Sequence, residues 1–325
     1  MSHRTTTVPE DEVTFAAPPD QQQPGEQRKP KVKPKGKSDL ASALAFLSPT
    51  LLVLSAFVFF PVVFSFYLSF HTWNMFSASA TFVGLGNYSA IVKNPEFWSV
   101  LKNTAYYTLG TVPLNMVISL GVAFFLNKKL AGKKFLRTAF FAPVIMSSVA
   151  AAVIWRWVYE PSFGLLNYFL SWFGIPAVNW LNNPTSAMFA LIAMGVWKSF
   201  GFNMVLFSAG LQGIPDHYYE AAQIDGAGKL RQFWNITIPL LSPTTFFVLI
   251  MSVIGSFQVF DTVYVLTSGG PLGSTKVLVF YLYEQAFKFF DMGYASAVAY
   301  LLFAVVFILT MLQMKYLRGS VHYTS

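Results

Sequence analysis

Six apolar runs, each long enough to cross a bilayer, follow one another between residues 43 and 316 of this 325-residue chain. A backbone surrounded by lipid has no water to satisfy its N–H and C=O groups, so a lone span must be helical. At about 20 residues per helical span, the chain beyond residue 40 has room for all six with modest loops. The runs lie near 43–70, 101–126, 135–157, 187–210, 243–266 and 295–316. Pro49 and Pro61 in the first predict a tilted or kinked helix. Only 11% of the residues are charged, against roughly 25% in a soluble domain, so polar side chains cannot cover a globular surface. The expected fold class is all-α integral membrane with six transmembrane helices. It divides into a disordered basic tail (1–40), a six-helix domain (41–318) and, within that, a loop at 211–242.

The net charge of +8 would suit nucleic acid if it were spread over a surface. Its distribution points to topology instead, so no nucleic-acid partner is expected. Arg28, Lys29, Lys31, Lys33, Lys35 and Lys37 precede the first span, Lys128, Lys129, Lys133, Lys134 and Arg137 fill the loop after the second, and Lys315 and Arg318 follow the sixth. The alternate loops are poor in basic residues: 71–100 carries Lys93 and Glu96, 158–186 carries Glu160, and 267–294 balances Lys276 and Lys288 against Glu284 and Asp291. By the excess of Lys and Arg in cytoplasmic loops, both termini and residues 211–242 face the cytoplasm. The tail is rich in Pro, Gln, Lys and Glu and is expected to be disordered. Its basic run would touch anionic lipid headgroups at about 1 kcal/mol per near-surface cation. The apolar stretch starts only near Leu40, so no cleavable signal peptide is expected.

Several chemistries lack their residues. The chain has no cysteine, and His3, His71, His217 and His322 are too scattered to form a ligand set. Gly36-Lys37-Ser38 resembles the end of a phosphate loop, but Lys31 stands where the first glycine belongs and no strand precedes it. Gly228-Lys229 fails likewise, because Leu230 follows and Gln223 occupies the glycine position.

Residues 211–242 read as two short helices. Pro215 suits a first helical position, Asp216 and Glu220 favour the positive N-terminal end, and Gly226 and Gly228 end the first helix. Leu230, Phe233, Trp234 and Ile238 follow helical spacing and form one apolar face, which Pro239 ends. Such a hairpin either lies on the membrane as an amphipathic element or protrudes to dock a cytoplasmic partner.

Glu220-Ala221-Ala222, Asp225-Gly226-Ala227, Phe233, Ile236, Pro239 and Pro243 resemble the EAA loop of permease subunits of binding-protein-dependent ABC importers. Residues 82–88, Asn103-Thr104, residues 163–167, Trp180-Leu181, residues 260–264, Thr267-Ser268-Gly269-Gly270-Pro271 and Gly293-Tyr294-Ala295 resemble the carbohydrate branch, in particular the maltose-type first permease. The similarity covers about residues 45–318. It implies a type I ABC importer permease in the bacterial inner membrane, working with a second permease, two ATPase subunits and an extracytoplasmic sugar-binding protein. It also implies that Glu220, Ala221, Ala222, Asp225, Gly226, Ala227, Gly228, Phe233 and Pro239 couple to the ATPase, with Glu220 contacting a basic ATPase residue and Gly228 allowing the sharp turn. ATP and Mg would belong to the ATPase subunits, and this chain would bind no cofactor.

Polar residues inside spans mark faces turned from lipid. Gly195, Lys198, Ser199 and Phe202 share one face of the fourth span, and Met251, Gly255 and Gln258 share one of the fifth. The resemblance implies that these seven lie near the sugar pathway, where amide, hydroxyl and ammonium groups meet sugar hydroxyls and Phe202 stacks on a ring. The alternatives are helix packing for Gly195 and Gly255, interhelical hydrogen bonding for Ser199 and Gln258, and a pairing or capping role for Asp261. Lys198 needs an anionic solute, a partnership with Asp261, or a helix end. Thr104, Thr108, Thr111, Asn115 and Ser119 form a stripe on the second span, expected to face the partner permease. Trp155, Trp157 and Trp172 suit an outer aromatic belt beside a snorkelling Arg156.

The expected function is that of a transmembrane subunit of an ATP-driven sugar or oligosaccharide importer, not an enzyme. A permease for a non-sugar or anionic solute such as a glycerol phosphate would differ only in pathway residues. An ion-coupled secondary transporter would need paired intramembrane carboxylates, and Asp261 is the one acidic residue within the predicted spans. A membrane enzyme would need a His/Asp/Glu cluster at one membrane face, which the sequence does not offer.

Overall fold

A computed structural model describes residues 37–77, 79–128 and 131–317. The expected disordered tail lies outside the described residues up to 36, as do Lys129 and Arg318. Helix α1 (Lys37–Leu54) begins within the last residues assigned to that tail. The chain forms two compact units, Met1–Val58 and Phe59–Ser325. In the first unit α1 contains Pro49 and runs into a π turn, Ser55–Phe59.

The second unit opens with α2 (Phe60–Leu68), a two-stranded antiparallel hairpin (β1, His71–Thr72; β2, Thr81–Phe82) and α3 (Gly86–Lys93). Helix α4 (Pro95–Asn127) is capped by the Asn94 side chain, which accepts from Glu96 N at 2.9 Å. Its 33 residues give a length of about 50 Å. Then come α5 (Lys133–Ile145), α6 (Ser148–Val158), the short α7 (Leu165–Ser171) and α8 (Pro184–Gln212). The 211–242 segment holds α9 (His217–Ile224), α10 (Lys229–Gln232), a π turn (Phe233–Thr237) and α11 (Ile238–Leu240). Helices α12 (Ser242–Phe257), α13 (Asp261–Leu266), α14 (Leu278–Tyr283), a π turn (Glu284–Lys288) and α15 (Met292–Leu317) complete the chain.

Among the described residues, four helical segments are long and apolar enough to cross a membrane, or up to six if each of two bent pairs counts as one span. Two of the predicted runs are not single straight helices. The run at 135–157 is α5 and α6, bent by 102°, because Met146 and Ser147 adopt extended backbone that stops α5. The run at 243–266 ends at Phe257 and resumes as the separate α13, with Phe260 outside the helical region between them.

Helix α8 is the centre of the second unit. Half of its most apolar window is buried, against 33% for α4 and 17% for α15. Its N-terminal half packs with α6, α13 and α14 through Met188, Leu191, Met194, Ala151, Val263 and Phe280. Its C-terminal half packs with α4 and α12 through Met204, Phe207, Leu126 and Val248. Gly201 lets α8 approach α5 backbone to backbone, since a Cβ there would overlap the Phe140 carbonyl. That close crossing brings Lys198, one turn away, to the α5–α6 corner.

Candidate solute cavity and coupling hairpin

Helices α4, α8 and α12 enclose a cavity of about 300 Å³ that brings together six of the seven predicted pathway residues: Gly195, Lys198, Ser199, Phe202, Met251 and Gly255. Gln258 does not line it. It caps the C-terminus of α12 and points to the exposed side. Ser199, Phe202, Met251 and Gly255 are exposed, so this chain supplies one side of the cavity and leaves another open.

The stripe on α4 is a second correction. Thr104, Thr108, Thr111, Asn115 and Ser119 are buried against this chain's own helices rather than kept for a partner. Asn115 Nδ2 donates to Ser199 Oγ at 2.6 Å, and Asn203 Nδ2 donates to Asn115 Oδ1 at 2.7 Å and to Ser252 Oγ at 3.0 Å. Ser119 Oγ donates to Asn115 Oδ1 at 3.0 Å. Higher up, Ser256 Oγ donates to Thr108 Oγ1 at 3.0 Å and Leu278 N to Thr104 Oγ1 at 3.0 Å. Thr104, Thr108, Asn115, Ser119 and Asn203 so placed are satisfied by the protein itself, which polar groups between apolar helices require, whereas the buried Thr111 hydroxyl finds no partner among the described residues. Thr111, Asn115 and Asn203 also line the cavity. Asn203 is absent from the residues that the sequence pattern marks, although an asparagine four residues after Ser199 in an apolar run is a usable signal.

Lys198 is satisfied by a helix end. Its Nζ donates to the carbonyls of Pro143 (2.8 Å), Val144 (3.2 Å) and Met146 (2.8 Å). Those carbonyls lie where α5 stops, so the ammonium caps the negative end of that helix. All three of its protons are committed. Asp261, the alternative partner for it, is exposed at the first position of α13, and its carboxylate makes no hydrogen bond or ion pair among the described residues.

The two cavity glycines differ. A Cβ at Gly195 would collide with the Tyr107 hydroxyl and touch Thr111, whereas a Cβ at Gly255 would meet nothing within 4 Å. Gly195 is thus a packing residue with Tyr107 seated on it, and Gly255 faces open space.

Within 211–242 the two short helices are present. Helix α9 starts at His217, two residues beyond Pro215, and carries Glu220 in its first turn. It ends on Gly226, whose φ of +74° only glycine adopts at little cost. Gly226 N donates to Gln223 O at 3.0 Å and Ala227 N to Ala222 O at 2.8 Å, the paired closure of a left-handed helix stop. The turn assigned to Gly228 therefore belongs to Gly226. Gly228 has φ −65° and open space around it, and it begins α10.

The single apolar face also needs correction. Leu230 (73% exposed) and Trp234 (60% exposed), four residues apart, face outward together. Phe233 turns inward to meet Phe124 of α4 edge-on at 5.3 Å. Pro239 does not end the helix but lies in α11, directly after the widened π turn. Glu220, Ala221 and Asp225 are exposed, and Ala222, Asp225 and Ala227 border a cleft of about 190 Å³ with Arg231 and Gln232.

On the opposite flank of α4, Lys276 Nζ lies 2.8 Å from Glu96 Oε1 and 2.7 Å from Glu284 Oε2, and Lys288 Nζ lies 3.0 Å from Glu284 Oε1. Partial burial works against the Lys276 ammonium, but its contacts with Glu284 and Glu96 outweigh that, so its pKa is raised. Of the predicted belt, Trp157 and Trp172 are exposed. Trp155 packs inward with Tyr159 and Trp197 at 5.1 and 5.5 Å.

The chain is thus a set of apolar helices with a cavity, open on one side, that carries a few polar side chains, and comparison with known proteins says which family has this frame. Residues 103–323 match the family described as "Binding-protein-dependent transport system inner membrane component", and the chain belongs to that family of multi-pass membrane permeases. The probable ABC transporter permease protein YesP of Bacillus subtilis (strain 168) is 38% identical over 294 residues, covering 89% of this chain and 94% of that protein. The trehalose/maltose transport system permease protein MalF of Thermococcus litoralis is 38% identical over 270 residues, covering 82% and 90%. In fold, the chain is similar to one in the crystal structure of a bacterial alginate ABC transporter in complex with an alginate pentasaccharide-bound periplasmic protein. That match has a TM-score of 0.76 at 22% identity and covers 89% of this chain and 98% of that one.

Proposed function

We propose that this chain is a transmembrane subunit of an ATP-driven importer of sugars or oligosaccharides. The observation that carries the reading is the cavity between α4, α8 and α12, where amides and hydroxyls from Asn115, Ser199 and Asn203 stand beside the ring of Phe202. Hydroxyl-rich solutes need such donors and acceptors with an apolar face nearby. The carbohydrate named for the Thermococcus relative supports the same solute class. With the Lys198 ammonium committed to three carbonyls, the cavity favours a neutral glycan over an anionic solute.

In this reading the bent pair α5–α6 is one of six spans and α12 forms another, both termini are cytoplasmic, and a second permease closes the open side of the cavity. The α9–α11 hairpin is the EAA element. Glu220, Ala221, Ala222, Asp225, Gly226, Ala227 and Gly228 face the groove of an ATPase subunit, while Phe233 and Pro239 tie the hairpin to α4 and α12. Two ATPase subunits hold ATP and Mg, and an extracytoplasmic binding protein delivers the solute. ATP-driven closure of the ATPases then rocks the helices as rigid bodies.

The test is uptake of labelled oligosaccharides into proteoliposomes holding the four-subunit complex, with the cognate binding protein outside and ATP inside. Uptake should require both, and Glu220→Lys should abolish it while leaving subunit assembly intact. Phe202→Ala should raise the half-saturating solute level for ATPase stimulation. Solute conduction by a complex lacking ATPase subunits would refute the proposal.

A further inference from the structure

Helix α7 is amphipathic in the reverse sense to a helix on a water-facing surface. Leu165, Tyr168, Phe169 and Trp172 follow the i, i+3, i+4, i+7 spacing of a single helix face, and all four are exposed. The polar Asn167 points inward and is buried. Its Nδ2 donates to Val178 O at 2.9 Å and Pro161 O at 3.2 Å, while its Oδ1 accepts from Val178 N at 3.2 Å and Trp180 Nε1 at 2.9 Å. The exposed face continues beyond the helix through Phe163 (74% exposed) and Phe173 (78% exposed). Not one charged residue occurs in residues 161–183. In water such a patch would promote aggregation; against lipid it is the expected arrangement.

The depth of the segment agrees. Tyr159 Oη donates to Ala190 O at 2.8 Å, and Leu166, Trp180 and Leu181 pack on the cluster holding Met188, Ala190 and Leu191. The loop therefore lies beside the first two turns of α8. Those 29 residues span about 44 Å, roughly 14 Å more than the hydrocarbon core, so the first turns cross the headgroup boundary. The patch also continues the exposed apolar side of α6, where Val153, Ile154 and Trp157 lie. Tyr and Trp, with an apolar body and one polar atom, are the side chains suited to that depth.

We infer that the outward face of residues 163–173 is seated in the headgroup–acyl boundary of the bilayer, as an interfacial anchor held to α8 through Asn167. Its partner is a phospholipid surface rather than a soluble protein or a second subunit. The absence of cysteine allows a direct test. Single-cysteine variants Tyr168→Cys and Phe173→Cys, with Lys93→Cys as an aqueous reference, are spin-labelled in the assembled importer. Cysteines of the other subunits are replaced, and the complex is placed in nanodiscs of phosphatidylethanolamine and phosphatidylglycerol. Labels at 168 and 173 should collide more often with oxygen than with a polar nickel chelate, and the label at 93 should show the reverse. Nickel access at 168 and 173 matching that at 93 would overturn the inference. So would low access to both reagents, which would mean burial against another subunit, or protection that arises only when solute-loaded binding protein is added.

Discussion

The molecule bends its spans twice, by two different means. Between α11 and α12 the 64° bend is local in origin. Pro239 and Pro243 flank Leu241, neither offers an N–H to continue a helix, and Pro243 sits where a new helix tolerates proline. Between α5 and α6 the 102° bend has a proline only inside α5, at Pro143, and none between the two helices. Its free carbonyls are held by Lys198, more than fifty residues away in sequence. The first bend is a property of a segment and the second a property of the folded chain. A corner that depends on a distant charge should fail when that charge is removed, whereas a proline corner should persist through single substitutions.

Lys198→Met should have the largest effect. It strips three carbonyls of a charged donor and should cost about 3 kcal/mol in unfolding of the detergent-solubilised chain. Spin-label distances between α5 and α6 should broaden, and unchanged distances would remove Lys198 from the account of the bend. Asn115→Ala breaks the contacts joining α4 to α8 and leaves the Asn203 amide short of an acceptor, so it should cost about 2 kcal/mol in the same assay. Among local devices, Gly226→Ala places a side chain at φ +74° and should cost about 1 kcal/mol. Gly228→Ala should leave the isolated chain's stability unchanged, and equal losses at the two glycines would contradict the placement of the turn. Pro243→Ala should shift stability by less than about 1 kcal/mol and leave the α11–α12 angle in place. The smallest effect concerns pH. Because the Lys276 pKa is raised by folding, its contribution is present below the ordinary lysine range and lost as pH rises through the raised value. Lys276→Met should flatten thermal stability against pH there, and an unaltered slope would count against the ion network.

The same contrast explains what is legible in the sequence. Hydropathy locates the spans because lipid imposes one rule on every exposed position. The end of the first hairpin helix is legible because Gly226 acts on its immediate neighbours, whereas Pro215 and Pro239 mark neither the first residue nor the end of a helix. The cavity face of α8 is legible because polar residues recur at helical spacing within an apolar run. The break at Met146–Ser147 is hidden, because neither residue is a breaker and the charge that binds the freed carbonyls lies on another helix. The stripe on α4 reads as facing outward because spacing defines a face without saying which helix covers it. The π turn at Phe233–Thr237 changes the angular relation of the residues after it to those before it, since a count of 3.6 residues per turn fails across it.

The unequal glycines of the cavity constrain how its cargo preference can diverge among descendants of this chain. Any side chain at residue 195 must first evict the ring of Tyr107, so that wall is closed to gradual change. Residue 255 accepts a methyl or larger group into empty space. Under the proposed function, changes in the length or branching of the solute are thus accessible one mutation at a time at residue 255, while residue 195 is inherited intact.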